Sequence, residues 1–228
     1  MHLTVTGLNM FFENQIKSIT NERTAILNDI NFELKQGCIT QIIGPSGCGK
    51  STFLNILCGL LKPKSGDIFY GNQSIYSLSD SQLATLRNQK FGISLQKNIG
   101  IGSIPVIDNV NLPYSYMHNG KTDTCDNSHH LLELFGISHL KNNLPGELSG
   151  GEMRRMCLAR ALVNNPEFIF ADEPTSDLDC ENTDIVMTVL KNRARNGAGI
   201  LIVSHDSAVY PYADETFTIN NGVLKQIN

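Results

Sequence analysis

The chain is 228 residues long and 41% hydrophobic, enough apolar material for one full core, so a single compact domain over residues 1–228 is expected. A formal net charge of −4, with no basic run, excludes a general nucleic-acid binder. No stretch approaches the ~20 apolar residues that cross a bilayer, and the opening MHLTVTGLNMFF lacks a basic segment leading into a long apolar one, so neither a membrane span nor a signal peptide is expected.

In chain order, Ile30, Phe32 and Leu34 alternate with Asn31, Glu33 and Lys35, the pattern of a half-buried strand, and Gln36-Gly37 turns the chain into the apolar run CITQII at residues 38–43, which suits a buried strand. Residues 51–61 (STFLNILCGLL) space their apolar side chains as a helix does, with Pro63 just beyond. Ser65-Gly66-Asp67 and Gly71-Asn72 bracket a short strand at residues 68–70, and residues 79–89 open on a capping residue and read as a helix. From about residue 107 to 140 the texture is polar and helical, including the loop-like MHNGKTDTCDNS and the amphipathic HLLELFGISHL; a helical subdomain inserted in the core is expected over about residues 97–160. After Pro166 the buried-strand texture returns in EFIFADE, followed by a helix over residues 184–195 and the strand GILIVSHD. Residues 215–227 alternate around Asn221-Gly222, a strong hairpin signal.

The chemistry begins between the second strand and the first helix. Gly44-Pro45-Ser46-Gly47-Cys48-Gly49-Lys50-Ser51 is G-x-x-x-x-G-K-S. Such glycines let the backbone curl so that successive N–H groups point at phosphate oxygens, while Lys50 reaches the β/γ-phosphates and Ser51 offers a hydroxyl to Mg²⁺. The phosphate would then lie at a helix N-terminus, where the dipole favours anions. The fold class follows: α/β, a P-loop NTPase core with a mostly parallel sheet, an antiparallel N-terminal β subdomain and an inserted helical subdomain. The six cysteines (Cys38, Cys48, Cys58, Cys125, Cys157, Cys180) form no C-x-x-C pair, which speaks against a zinc site or disulfide framework and suits a reducing cytosol; Cys48 reads as a small filler inside the loop.

A second group of residues turns binding into hydrolysis. EFIFADE is an apolar strand ending in two acids: Asp172, placed to hold Mg²⁺ directly or through water, and Glu173, placed to polarise a water for in-line attack on a γ-phosphate. His205 closes the next apolar strand, where an imidazole would contact the γ-phosphate, and Gln96 ends FGISLQ, where an amide near metal and water would be useful. Finally, Leu148-Ser149-Gly150-Gly151-Glu152 precedes a helix carrying Arg154, Arg155 and Arg160. Ser149 with two glycines makes an N-cap and a second anion-binding nest. If the two phosphate-binding devices do not face one another within a subunit, they invite a head-to-tail dimer with nucleotide between its halves.

LSGGE resembles the signature of ABC-type ATPases, and essentially the whole chain is similar to that family in motif order. Gly44 through Ser51, with Thr52, resembles its Walker A segment; Gln96 its Q-loop; Ser149, Gly150, Gly151 and Glu152 its signature; residues 176–179, closing on Asp179, its D-loop. The resemblance implies ATP and Mg²⁺ as cofactors, the metal beside Ser51, Gln96 and Asp172. It further implies Glu173 as catalytic base, His205 as switch, and Phe12 stacked on adenine, with neighbouring Phe11 a competitor and a core role equally open. Implied partners are a second ATPase subunit, expected to be an identical copy, and a transmembrane permease that alone brings this chain to the cytoplasmic face of the membrane. GPSGCGKST, the helix before FGISLQ, the NVNLP segment and Glu152 in place of Gln resemble the lipoprotein-release, macrolide-export and antimicrobial-peptide-resistance branch. An ATPase of a membrane signalling or mechanotransduction complex is the alternative. Two features depart from the family pattern: Met153 and Arg154 replace its usual Gln pair, and residues 97–103 (KNIGIGS) are unusual after the glutamine.

Overall fold

The computed structural model describes residues 2–12, 24–118 and 126–228, with the side chains of residues 12, 24 and 25 outside that description. Strands β1 (Leu3–Phe12) and β2 (Thr24–Leu34) pair antiparallel, and β3 (Ile39–Ile43) follows the Gly37 turn. Helix α1 (Lys50–Leu57) stops short of the 51–61 span suggested by apolar spacing, because Gly59 takes a left-handed φ of 66° and ends the turn. Then come β4 (Ser65–Tyr70), β5 (Gln73–Ser74), α2 (Asp80–Lys90) and β6 (Phe91–Ser94). Helices α3 (Val106–Met117), α4 (Asp126–Leu134) and α5 (Gly150–Leu162) lie between β6 and β7 (Phe168–Asp172). The chain finishes with α6 (Cys180–Arg195), β8 (Gly199–Val203), β9 (Glu215–Asn220) and β10 (Val223–Gln226). Helix α6 starts earlier than residue 184 because the Asp179 carboxylate accepts from the Asn182 N–H at 2.8 Å and caps it.

These strands make two sheets, an antiparallel one in the order β2-β1-β4-β5 and a larger one in the order β10-β9-β3-β8-β7-β6. In the larger sheet β9–β3–β8–β7–β6 run parallel and β10 alone is antiparallel, hairpinned to β9. The period of two in the central strands explains how both faces are buried. Ile169, Ala171, Ile200 and Ile202 face a core shared with α3, α4, α5 and α6, whereas Phe168, Phe170, Leu201 and Val203 face a second core lying toward the antiparallel sheet, α1 and α2. Each such fully buried aliphatic or aromatic side chain contributes about 1.5–3 kcal/mol. That burial outweighs local preference in α3, which runs through Pro113 while burying Val106, Ile107 and Val110; an interior proline costs ~3 kcal/mol.

The helices α3, α4 and α5 pack on one another. The unusual segment after Gln96 is clamped to this group. Buried Asn109 accepts from the Ile101 N–H at 2.7 Å and donates to the Ile104 carbonyl at 2.9 Å, and Arg160 donates to the Ile99 carbonyl at 2.8 Å. Among the described residues, no helix is long and apolar enough to cross a membrane.

Candidate active site

The phosphate loop leaves the C-terminal end of β3, an interior strand between β9 and β8, and the C-terminal edge is where open α/β sheets bind ligands. Two of its glycines are obligatory. Gly44 has φ 148°, and a Cβ there would meet the Ile219 carbonyl oxygen at 2.5 Å; Gly49 has φ 106°, and a Cβ would meet Ile26 at 2.7 Å. Gly49 also caps α1 without any side-chain hydrogen bond, and no acid lies in the helix's first turn. The first N–H groups of α1 are therefore available to an anion, alongside Ser51 and Thr52. Lys50 folds back over its own loop, donating to the carbonyls of Gly44 at 2.7 Å and Pro45 at 2.9 Å. Pro45, Ser46 and Gly47 are exposed, so the mouth of the loop is open.

Strand β7 delivers the two acids beside it. Asp172 is 4% exposed and its Oδ1 has no hydrogen-bond partner among the described residues. Burial pushes its pKa above the usual carboxylate value, opposed by the Ser51 hydroxyl and, more weakly, the Lys50 ammonium. A buried, unsatisfied carboxylate oxygen is costly unless something completes it, and a hard cation shared with Ser51 fits that need. Among the described residues no cluster of three or more His, Cys, Asp or Glu side chains forms a metal site on its own. One carboxylate and one hydroxyl would suit Mg²⁺, which takes one or two protein ligands and fills the rest of its octahedron with phosphate and water.

Glu173 follows in a left-handed conformation, φ 51°, fixed by its N–H donating to the Val203 carbonyl at 2.7 Å. Its Oε2 accepts from the Ser204 hydroxyl at 2.9 Å, and its Oε1 lies 2.7 Å from His205 Nδ1. His205 is largely exposed while Glu173 is buried, so the imidazole presents its far edge outward and the carboxylate is held from behind. Gln96 is exposed two residues past β6, and the register that sets Ser94 beside Ala171 brings it to the same sheet edge as the acids.

The cap at α5 stands apart. Ser149 accepts from the Glu152 N–H at 3.4 Å, while Glu152 Oε2 accepts from the Ser149 N–H at 2.8 Å and hydroxyl at 2.7 Å. These bonds hold the Glu152 carboxyl below its usual pKa. Gly150 is open to solvent, and a Cβ on Gly151 would touch Leu178 at 3.0 Å, so the cap abuts the loop that ends at Asp179. Among the described residues no hydrogen bond joins the cap to the phosphate loop. The Phe12 side chain lies outside the described residues, while Phe11 packs under Lys64, whose Nζ is 5.5 Å from the ring centroid.

Four further residues shape the site: Ser204, Thr175, Asp206 and Arg154. Ser204, one residue past β8, holds Glu173, and Thr175 donates to Asp206 at 2.7 Å, tying the strand ends together. The tetrapeptide VSHD carries Ser204 and Asp206 next to His205, which was the available signal. Arg154, in sequence one of three arginines on the signature helix and a departure from the family pattern, is buried against Glu173.

A family profile described as ABC transporter matches residues 27–176. The chain belongs to the ABC transporter family. As an ABC ATPase it is similar to the uncharacterised ABC transporter ATP-binding protein MJ1508 of Methanocaldococcus jannaschii, with 36% identity over 90% of this chain and 92% of that protein. It is also similar to the macrolide export ATP-binding/permease protein MacB of Vibrio parahaemolyticus, with 37% identity over 90% of this chain but 31% of that longer protein. Its fold matches the dimeric MJ0796 ABC transporter cassette with a TM-score of 0.87 and 29% identity, covering 99% of each chain. The same cassette in a dimeric post-hydrolysis state bound to ADP and Pi matches with a TM-score of 0.86 and 27% identity, again covering 99% of each.

Proposed function

We propose that this ABC ATPase powers a membrane export system as a pair of identical subunits that close around two ATP molecules. Each nucleotide would lie between the phosphate loop of one copy and the Ser149 cap of the other. The single observation behind this reading is the division of the phosphate-binding equipment. One device opens at β3 and α1, the other at α5 is already satisfied internally, and no hydrogen bond joins them within the subunit among the described residues. The dimeric form of the MJ0796 cassette supports the pairing, and the MacB likeness supports export.

In each pocket Lys50 and the α1 N-terminus would grip the triphosphate. Ser51 and Asp172, with Gln96, would hold Mg²⁺, which when bound neutralises charge on the β- and γ-phosphate oxygens. Glu173, steadied by Ser204, would take the proton of the attacking water, and His205 beside it would register the loss of phosphate. Closure driven by ATP and reopening after hydrolysis would move the membrane partner. A cavity of about 540 Å³ beside the Gln96 segment offers that partner a seat, with Leu95, Ile99, Leu112 and Tyr116 as its apolar lining and Arg87, Lys97 and Arg160 as its basic one. Docking there would place the chain at the cytoplasmic face of the membrane.

Two measurements test the proposal. Glu173→Gln should lower ATP turnover roughly 10²–10³-fold while ATP binding survives; wild-type turnover in that variant removes Glu173 from the base role. In vesicles rebuilt with the polytopic protein that co-purifies with the chain, ATP should drive substrate outward. ATP hydrolysis with no substrate movement would instead favour a signalling or mechanotransducing complex.

A further inference from the structure

Arg154 is a charge buried within the protein. It lies on α5 five residues past Ser149, and its side chain is 5% exposed. One terminal nitrogen donates to the backbone carbonyl of Glu173, the other lies 3.8 Å from Asp177 Oδ2, and Nε has no partner among the described residues. Burying a guanidinium is expensive, and burial here works against its charge, with Asp177, Glu173 and Asp172 opposing that loss. The contacts explain where the charge is useful. The Glu173 peptide is in a left-handed turn, its N–H tied to β8 and its carbonyl turned toward α5. The same carbonyl also receives the Ser176 N–H at 3.3 Å, so Arg154 grips the turn that sets both the base and the following loop.

We propose that Arg154 is a positioning residue for hydrolysis: a charged strut that joins the signature helix to the peptide carrying Glu173 and to Asp177 of the next loop. A shift of α5 when its cap meets nucleotide is thereby passed to the carboxylate that handles the attacking water. This rests on the reading of Glu173 as the base. The proposal assigns Arg154 no contact with ATP, so its loss should be felt in chemistry and not in binding.

The test uses Arg154→Gln and Arg154→Lys in the full chain, with kcat, KM for ATP, the dissociation constant for ATP and the melting temperature read together. For Arg154→Gln, kcat should fall roughly 10- to 100-fold, the size expected for losing hydrogen bonds from a charged group. KM and ATP affinity should change less than about twofold, since neither contact is to nucleotide. Arg154→Lys should recover part of kcat, because a single ammonium still reaches the Glu173 carbonyl but not both acceptors. Wild-type kcat in Arg154→Gln overturns the proposal, as does a fall in kcat matched by an equal fall in ATP affinity. If Arg154→Gln fails to fold, Arg154→Lys decides: reduced kcat at unchanged affinity supports the strut, and wild-type kcat overturns it. Retained turnover in Glu173→Gln would sink the base assignment itself. An inactive Glu173→Gln beside fully active Arg154 variants would sink only the strut.

Discussion

Helices α1 and α5 both begin at glycine-rich turns, yet their ends are finished in opposite ways. At α1 the cap is Gly49, with no side-chain bond and no acid in the first turn, and Lys50 supplies positive charge. At α5 the cap is Ser149, locked to Glu152 in a reciprocal box, so its hydroxyl and one N–H are already spent and a carboxylate sits at the helix end. The first terminus is ready for an anion by itself. The second already carries its own anion, the Glu152 carboxylate. Under the proposed function, the first device would set monomer affinity for ATP and the second would set assembly.

Breaking the first terminus should have the largest effect. Lys50→Ala removes the charged donor over the loop, and ATP affinity measured by calorimetry should fall roughly 10- to 100-fold. Unchanged affinity would contradict the cradle. Breaking the second should leave that number alone. Ser149→Ala loses a cap worth about 1 kcal/mol of stability, visible as a lower melting temperature. It should also weaken ATP-dependent dimerisation while monomeric ATP binding stays as in the wild type. Loss of binding in the monomer would mean that the two devices share one pocket within a subunit.

The smallest change sharpens the contrast most. Glu152→Gln keeps a capping side chain but removes the charge that meets the incoming triphosphate, so ATP-driven dimerisation should tighten by a few-fold, and more at low salt. It should also reshape the acid limb of stability. The Ser149 hydroxyl and N–H hold the Glu152 carboxyl below its unfolded pKa. Its contribution is therefore complete above the ordinary carboxylate range and is lost as pH falls through the folded value. Melting curves taken from neutral into acid should decline less steeply in Glu152→Gln. Parallel curves would show that the bond is not formed in solution.

Much of this was legible in the chain itself. Unbroken apolar runs in GILIVSHD and EFIFADE mark strands buried on both faces, and Asn221-Gly222 turns the last hairpin as its chemistry demands. The phosphate loop and both acids are local signals, because spacing and strand ends alone determine their position. What escaped was set by distance in sequence. Arg154 meets Glu173 across 19 residues and Ser204 meets it across 31, contacts that only packing of α5 and β8 against β7 creates. The start of α6 escaped for a smaller reason, since the Asp179 cap lies in a stretch with no apolar periodicity before residue 184.

Sedimentation of Glu173→Gln with ATP and Mg²⁺ goes straight to the division of labour between the two helix termini. The protein should run as a dimer with ATP and as a monomer with ADP, and adding Ser149→Ala should return the ATP sample to monomer. A Glu173→Gln sample that stays monomeric with saturating ATP at high concentration, even when its membrane protein is supplied, would contradict it.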